Sequence, residues 1–281
     1  MRKWMNFILM PILLAGCTAK SVFRNEVTEE IVPVAIQVPK QLNVGYETLP
    51  NKKYGWGLKK NKQAPPDIPT ETIQLLEKYG AIYKDSAPRT LYLTFDEGYE
   101  NGYTAQILDV LKEHGVPAAF FVTGPYLEKE PELIKRMVEE GHIVGNHTVN
   151  HPSMPEVASA EKLKKEITVL AENFRDMTGQ KMLYFRPPMG EYSERTLAIT
   201  RELGYTSVFW SFAYKDWDVK QQKGVEYAYQ QIMDGVHDGA VLLLHAVSKD
   251  NAEVLGRIIP ELKTNGYQFK SLTEYGKNVR D

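Results

Sequence analysis

The sequence predicts an α/β fold in which about seven parallel strands alternate with helices, the sheet being open or closed into a barrel. Three observations carry that prediction. From Arg89 onward, short apolar and β-branched runs alternate with longer segments of helical spacing. Charged or imidazole residues stand at the ends of five of these runs, where the loops of such folds gather their chemistry. The stretch before Arg89 differs: Pro33, Pro39, Pro50, Pro65, Pro66 and Pro69 interrupt it, and no period is sustained.

At the N-terminus, Arg2 and Lys3 precede an apolar run from Trp4 to Leu14. The run is too short to cross a bilayer core of ~30 Å and reads as a secretory signal. It ends in Leu14-Ala15-Gly16-Cys17, which resembles the bacterial lipobox, where small residues precede a cysteine that is lipidated. Cys17 is the chain's only cysteine, so no intrachain disulfide can form. Lipidated there with two or more acyl chains, the protein would be anchored to the membrane on its extracytoplasmic side. Residues 1–17 are therefore assigned to signal and lipobox, 18–54 to a tether, 55–88 to an extension packing on the main domain, and 89–281 to that domain. Within the extension, Thr70-Glu71-Thr72 opens a helix predicted over 70–79.

In the main domain, strands are predicted at 91–95, 118–122, from 143, and at 183–185, 207–210, 240–244 and 267–270. Helices are predicted at 102–114, 131–140, 160–177, 194–203, 225–236 and 252–265. The third of these places Leu163, Ile167, Leu170 and Phe174 on one face. Hydrophobic residues make up 43% of the chain, enough for a core of ordinary size. The net charge of -2, with no Lys/Arg stripe, argues against nucleic acid as a partner. No protein partner is implied.

The strand ends carry the chemistry. Asp96-Glu97 closes the first strand and Asn146-His147 the third, with His151 four residues further on. Arg186 follows the fourth strand, Asp216-Trp217 the fifth, and His245 ends the sixth. Two imidazoles spaced i,i+4 on a helical turn point the same way and can share a metal. A carboxylate from a neighbouring strand would complete a three-ligand site with an open position. A metal, a carboxylate and a separate histidine together describe metal-assisted hydrolysis. His114, His142 and His237 are assigned no role.

The motifs, in order, resemble those of the family 4 carbohydrate esterases, the polysaccharide deacetylases. Thr94-Phe95-Asp96-Glu97-Gly98-Tyr99 is similar to their first motif and His147–His151 with Pro152 to the second. Arg186-Pro187-Pro188-Met189-Gly190 is similar to the third, Asp216-Trp217 to part of the fourth, and Leu243-Leu244-His245 to the fifth. The resemblance implies a distorted (β/α) barrel. It also implies that Asp96 is the general base and that Glu97, His147 and His151 hold a divalent metal, Zn with Co or Mn as alternatives. Arg186 would orient Asp96, and His245 would be the general acid, steadied by Asp216. Tyr99, Pro187, Trp217 and Leu243 would line the substrate pocket.

Closer similarity is to the delta-lactam-forming muramic-acid de-N-acetylases of spore-forming bacteria. It rests on Tyr99–Thr104, on Val208-Phe209-Trp210-Ser211 and on Ser248–Glu253. The implied substrate is the N-acetylmuramic acid of peptidoglycan glycan strands. N-acetylglucosamine deacetylation is the alternative, and a non-catalytic wall-binding lipoprotein the third reading. Two positions depart from the family pattern. Glu97 stands where the family has Asp and the muramic-type relatives Asn. Ala213 stands where the family has an acidic residue three positions before Asp216, a loss the muramic-type relatives share.

Overall fold

The structure is a computed structural model and describes residues 45–277. The signal run, Cys17 and most of the tether lie outside the described residues. Among the described residues no helix is long and apolar enough to cross a membrane.

Among the described residues, eighteen strands and helices follow in order. A short strand, β1 (Tyr54–Gly55), precedes helix α1 (Thr70–Lys78). Then come β2 (Thr90–Glu97), α2 (Thr104–His114), β3 (Ala118–Val122), α3 (Gly124–Lys129), α4 (Pro131–Glu139) and β4 (Ile143–Asn146). The chain continues through α5 (Ala160–Thr178), β5 (Tyr184–Phe185), β6 (Glu191–Tyr192), α6 (Glu194–Glu202), β7 (Thr206–Ser207) and β8 (Phe212–Ala213). It closes with α7 (Val225–Gly235), β9 (Ala240–His245), α8 (Lys249–Thr264) and β10 (Gln268–Phe269).

The main sheet is parallel, in the order β7-β5-β4-β3-β2-β9-β8, with β10 added to the start of β2. Its two ends belong to one stretch of chain: Thr206–Ser207 pairs with β5 while Phe212–Ala213 pairs with β9. A sheet whose outer strands are one continuous segment is curled on itself, which makes the expected distorted barrel. Ile82 fills the wedge at the seam: its amide donates to the Ser207 carbonyl and its carbonyl accepts from Phe209 N–H.

Every residue of β2 is buried, as expected of a central parallel strand covered on both faces. Its pleat sorts the side chains. Leu91, Leu93 and Phe95 pack outward with Leu108 and Leu111 of α2 and Leu255 of α8. Tyr92 points inward among Phe121, Val208 and Val241. Helix ends match the local chemistry. Ser159 accepts from Lys162 N–H at the start of α5, Gly179 closes that helix in the left-handed region, and Ser193 and Thr196 form a capping box on α6.

Two expectations are corrected. Residues 207–210 are not one strand, because the chain leaves β5 after the Val208 N–H bond to Phe185 and reaches β9 at Ser211, whose N–H donates to Val241. Helix α8 starts three residues earlier than its apolar spacing suggests, because Ser248 caps it by accepting from Asn251 N–H. The short helix α3 and the β1–β6 ribbon have no counterpart among the predicted elements. Elements of two to six residues carry too little periodicity to register.

Candidate active site

The carboxyl ends of the strands surround a pocket of about 490 Å³. Asp96, His147, His151, His245, Tyr99, Trp217 and Leu243 all line it, together with Met189, Gly190, Trp210 and Tyr214. Tyr99, Met189 and Trp217 are each about half exposed and form its rim. Pro187 is buried and does not line it; Met189 and Gly190 of the same loop do.

Asp96 reaches the pocket from the inner face of β2. Its Oδ1 accepts from Arg186 Nη1 at 2.7 Å. Arg186 is fully buried, donates from Nε to the Val208 carbonyl and from Nη2 to Thr94 Oγ1, and lies 4.2 Å from the Phe121 ring centroid. Burial alone would raise the Asp96 carboxyl. The charge of Arg186, the largest opposing influence, outweighs burial and holds it below its ordinary value.

His147 and His151 are brought together, with ring centroids 4.7 Å apart. They do not lie on a helical turn. Residues 147–151 form a loop in which Thr148 and His151 take left-handed backbone conformations. Buried contacts fix this strained shape. Asn146 Oδ1 accepts from Thr148 N–H, Thr148 Oγ1 accepts from His151 N–H, and Gly124 sits so close that a Cβ would meet the Val149 carbonyl at 2.8 Å.

His147 Nδ1–H donates to the Arg186 carbonyl at 2.8 Å, which leaves Nε2 as an acceptor. Burial pushes His147 down to about 4, so the ring is neutral at neutral pH. Its Nε2 lies 3.5 Å from Asp96 Oδ2. Two acceptors therefore face each other with no proton between them, an arrangement that a cation satisfies. The His147–His151 pair thus fits a divalent metal in donor chemistry and in the carbonyl that orients one ring.

Glu97 is not brought to that pair. The pleat turns it away from Asp96, and it does not line the pocket. It is fully buried, and neither carboxylate oxygen has a hydrogen-bond partner. Burial, then the charges of Glu100 and Asp96, pushes it well above the usual carboxylate range. Among the described residues no three His, Cys, Asp or Glu side chains converge as a metal cluster.

On the adjacent strand β9, His245 is the register partner of Asp96; its Nδ1–H donates to Asp216 Oδ1 at 2.7 Å, and its backbone N–H donates to Asp216 Oδ2 at 2.8 Å. Burial would lower His245, but the Asp216 charge and hydrogen bond overcome it, and the ring stays above its ordinary value. Asn251 is the member that sequence reasoning missed: its Nδ2 donates to Asp216 Oδ2 at 2.6 Å and to the His245 carbonyl, and its Oδ1 accepts from Tyr214 OH. Asn251 lies within a stretch singled out for resemblance, but no spacing marks it as Asp216's partner.

The family model described as polysaccharide deacetylase matches residues 83–208. The chain is 47% identical over 231 residues to the peptidoglycan-N-acetylmuramic acid deacetylase PdaA of Bacillus subtilis, covering 81% of this chain and 88% of that protein. The chain belongs to the polysaccharide deacetylase family. The solved structure of Bacillus subtilis PdaA, described as a family 4 carbohydrate esterase, superposes with a TM-score of 0.80 at 45% identity, over 83% of this deacetylase and 100% of that chain. A peptidoglycan-N-acetylglucosamine deacetylase of Bacillus cereus is more distant, at 34% identity over 66% of this chain and 87% of its own.

Proposed function

We propose that this deacetylase removes the N-acetyl group from N-acetylmuramic acid residues of peptidoglycan glycan strands. The observation that carries the reading is that Asp96 and His245, register partners at the ends of adjacent strands β2 and β9, line one pocket, Asp96 held below its ordinary pKa by Arg186 and His245 held above its own by Asp216. The similarity to a muramic-acid deacetylase, greater than that to the glucosamine enzyme, supports the choice of sugar.

The residues act in sequence. Asp96 takes a proton from a water whose oxygen attacks the acetyl carbonyl carbon. Leu243 and Trp217 receive the acetyl methyl. His245 then gives its Nε2 proton to the amide nitrogen, the C–N bond breaks, and acetate and a free amine leave. Asp216, held by Asn251, keeps the His245 tautomer that points Nε2 into the pocket. His147 and His151 would hold a divalent metal, with Zn the first choice and Co or Mn alternatives. When bound, it supplies positive charge that polarises the carbonyl.

Cys17, lipidated as the lipobox resemblance implies, would anchor the enzyme outside the cytoplasm beside its substrate. The spore-cortex delta-lactam step is the setting this reading takes.

The test is acetate release from purified peptidoglycan, with mass spectrometry to locate the freed amine. The expected result is deacetylated muramic acid, lost with a chelator and restored by added Zn, Co or Mn. Amines on glucosamine alone would replace the muramic reading with the glucosamine one. No acetate with any metal, alongside retained wall binding, would make the chain a binding protein.

A further inference from the structure

Residues upstream of the family match hold the loop that shapes the pocket. The loop at 186–190 runs from Arg186, which orients Asp96, to Met189 and Gly190, which line the pocket. Met189 and Gly190 both take left-handed backbone conformations, with φ of 57° and 65°. For a non-glycine residue that shape costs energy and persists only where surroundings enforce it.

Trp56 supplies the enforcement. Its backbone N–H donates to the Gly190 carbonyl at 2.9 Å, and its indole Nε1–H donates to the Trp210 carbonyl at 2.8 Å. Gly190 is wedged between the two tryptophans: a Cβ there would meet the Trp210 ring at 2.8 Å and Trp56 Cβ at 3.0 Å. The Trp56 ring is buried against Phe209 and Tyr83, with centroids 4.8 and 5.5 Å away. Trp210 in turn lies 5.7 Å from the Arg186 guanidinium. The same segment is sewn down on either side. Tyr54 and Gly55 pair with Tyr192 and Glu191, the Pro50 carbonyl accepts from Arg195 N–H, and Asn51 Oδ1 accepts from Ser193 Oγ.

We propose that Trp56 is a positioning residue for deacetylation, a clasp that sets the 186–190 loop and Trp210 so that Arg186 holds Asp96 in its working place. The proposal rests on the deacetylase reading above. Trp56 touches no reacting atom, so its removal slows the chemical step more than it weakens substrate binding.

Three full-length variants test it on peptidoglycan. Trp56→Phe keeps an aromatic ring and the backbone bond to Gly190 while removing the Nε1–H donor together with the second ring of the indole. Its kcat should fall about 3- to 10-fold, the size one buried hydrogen bond carries, with KM little changed. Trp56→Ala should fall further. Tyr83→Leu alters packing against the same indole while leaving both Trp56 hydrogen bonds, to Gly190 and to Trp210, in place, so it should lower Tm while sparing kcat. Amide hydrogen exchange over 186–192 should rise in Trp56→Phe and not in Tyr83→Leu. That readout needs no activity, so an inactive wild type would sink the deacetylase reading while the clasp is still judged. If kcat and exchange follow Tm alike in all three variants, Trp56 is merely structural and the proposal is overturned.

Discussion

The inner and outer faces of β2 end in carboxylates one peptide bond apart, and they live in opposite chemistry. Asp96 faces the pocket, is bonded to Arg186 and is held ionised. Glu97 faces the helices, has no hydrogen-bond partner and is pushed toward its neutral form. The side-chain period of two in a strand is enough to separate them. Residue type alone therefore does not assign a carboxylate to a site. Which face it occupies, and which cations share that face, decide whether it works as a base.

The largest expected effect sharpens the inner face. His245→Ala removes the proposed proton donor beside Asp96 and should lower kcat by about 10²–10⁴-fold. Metal retained by equilibrium dialysis should be unchanged, since His147 and His151 remain. Loss of metal instead would mean that donor and ligand have been exchanged in this account.

The pH profile sharpens it further. Asp96 lies below the usual carboxylate range of about 3.9, and His245 lies above about 6.5. The proposed mechanism needs Asp96 ionised and His245 protonated, so kcat should be flat between those limits. It should fall on the alkaline side only above about 6.5. An alkaline limb below that value would contradict the part played by Asp216.

This geometry was partly legible in the sequence. The strand–helix alternation and the polar residues at strand ends were readable because long amphipathic helices and continuous buried strands leave strong periods. The four pocket residues Asp96, His147, His151 and His245 were readable for the same reason, each lying at or just beyond a strand end. The HxxxH spacing was misleading about conformation: a helical turn and a loop with two left-handed residues can both bring rings together, and spacing does not report φ. Glu97 was misplaced because its side depends on how far β2 stays extended, which hydrogen bonding to β3 decides. Trp56 and Asn251 act through partners 154 and 35 residues away, a distance that no local pattern spans.

A smaller effect probes the outer face through stability. The folded protein raises the Glu97 pKa, so folding keeps a proton that the unfolded chain would release. That contribution is fully present below about 4.3, the unfolded value, and is lost as pH rises toward the folded one. Stability should therefore decline across this window by up to ~1.4 kcal/mol per pH unit. Glu97→Gln should flatten the decline in denaturant titrations. An unchanged slope in Glu97→Gln would mean that Glu97 is ionised in the folded state.

The most direct measurement compares acetate release from peptidoglycan by Asp96→Asn and Glu97→Gln under one set of metal conditions. Asp96→Asn should abolish turnover with the fold intact, because the inner face loses its proposed base. Glu97→Gln should retain turnover and metal affinity close to wild type, because the outer face holds no part of the site. The contradicting result is the reverse: a Glu97→Gln protein that loses metal and activity beside an Asp96→Asn protein that still turns over.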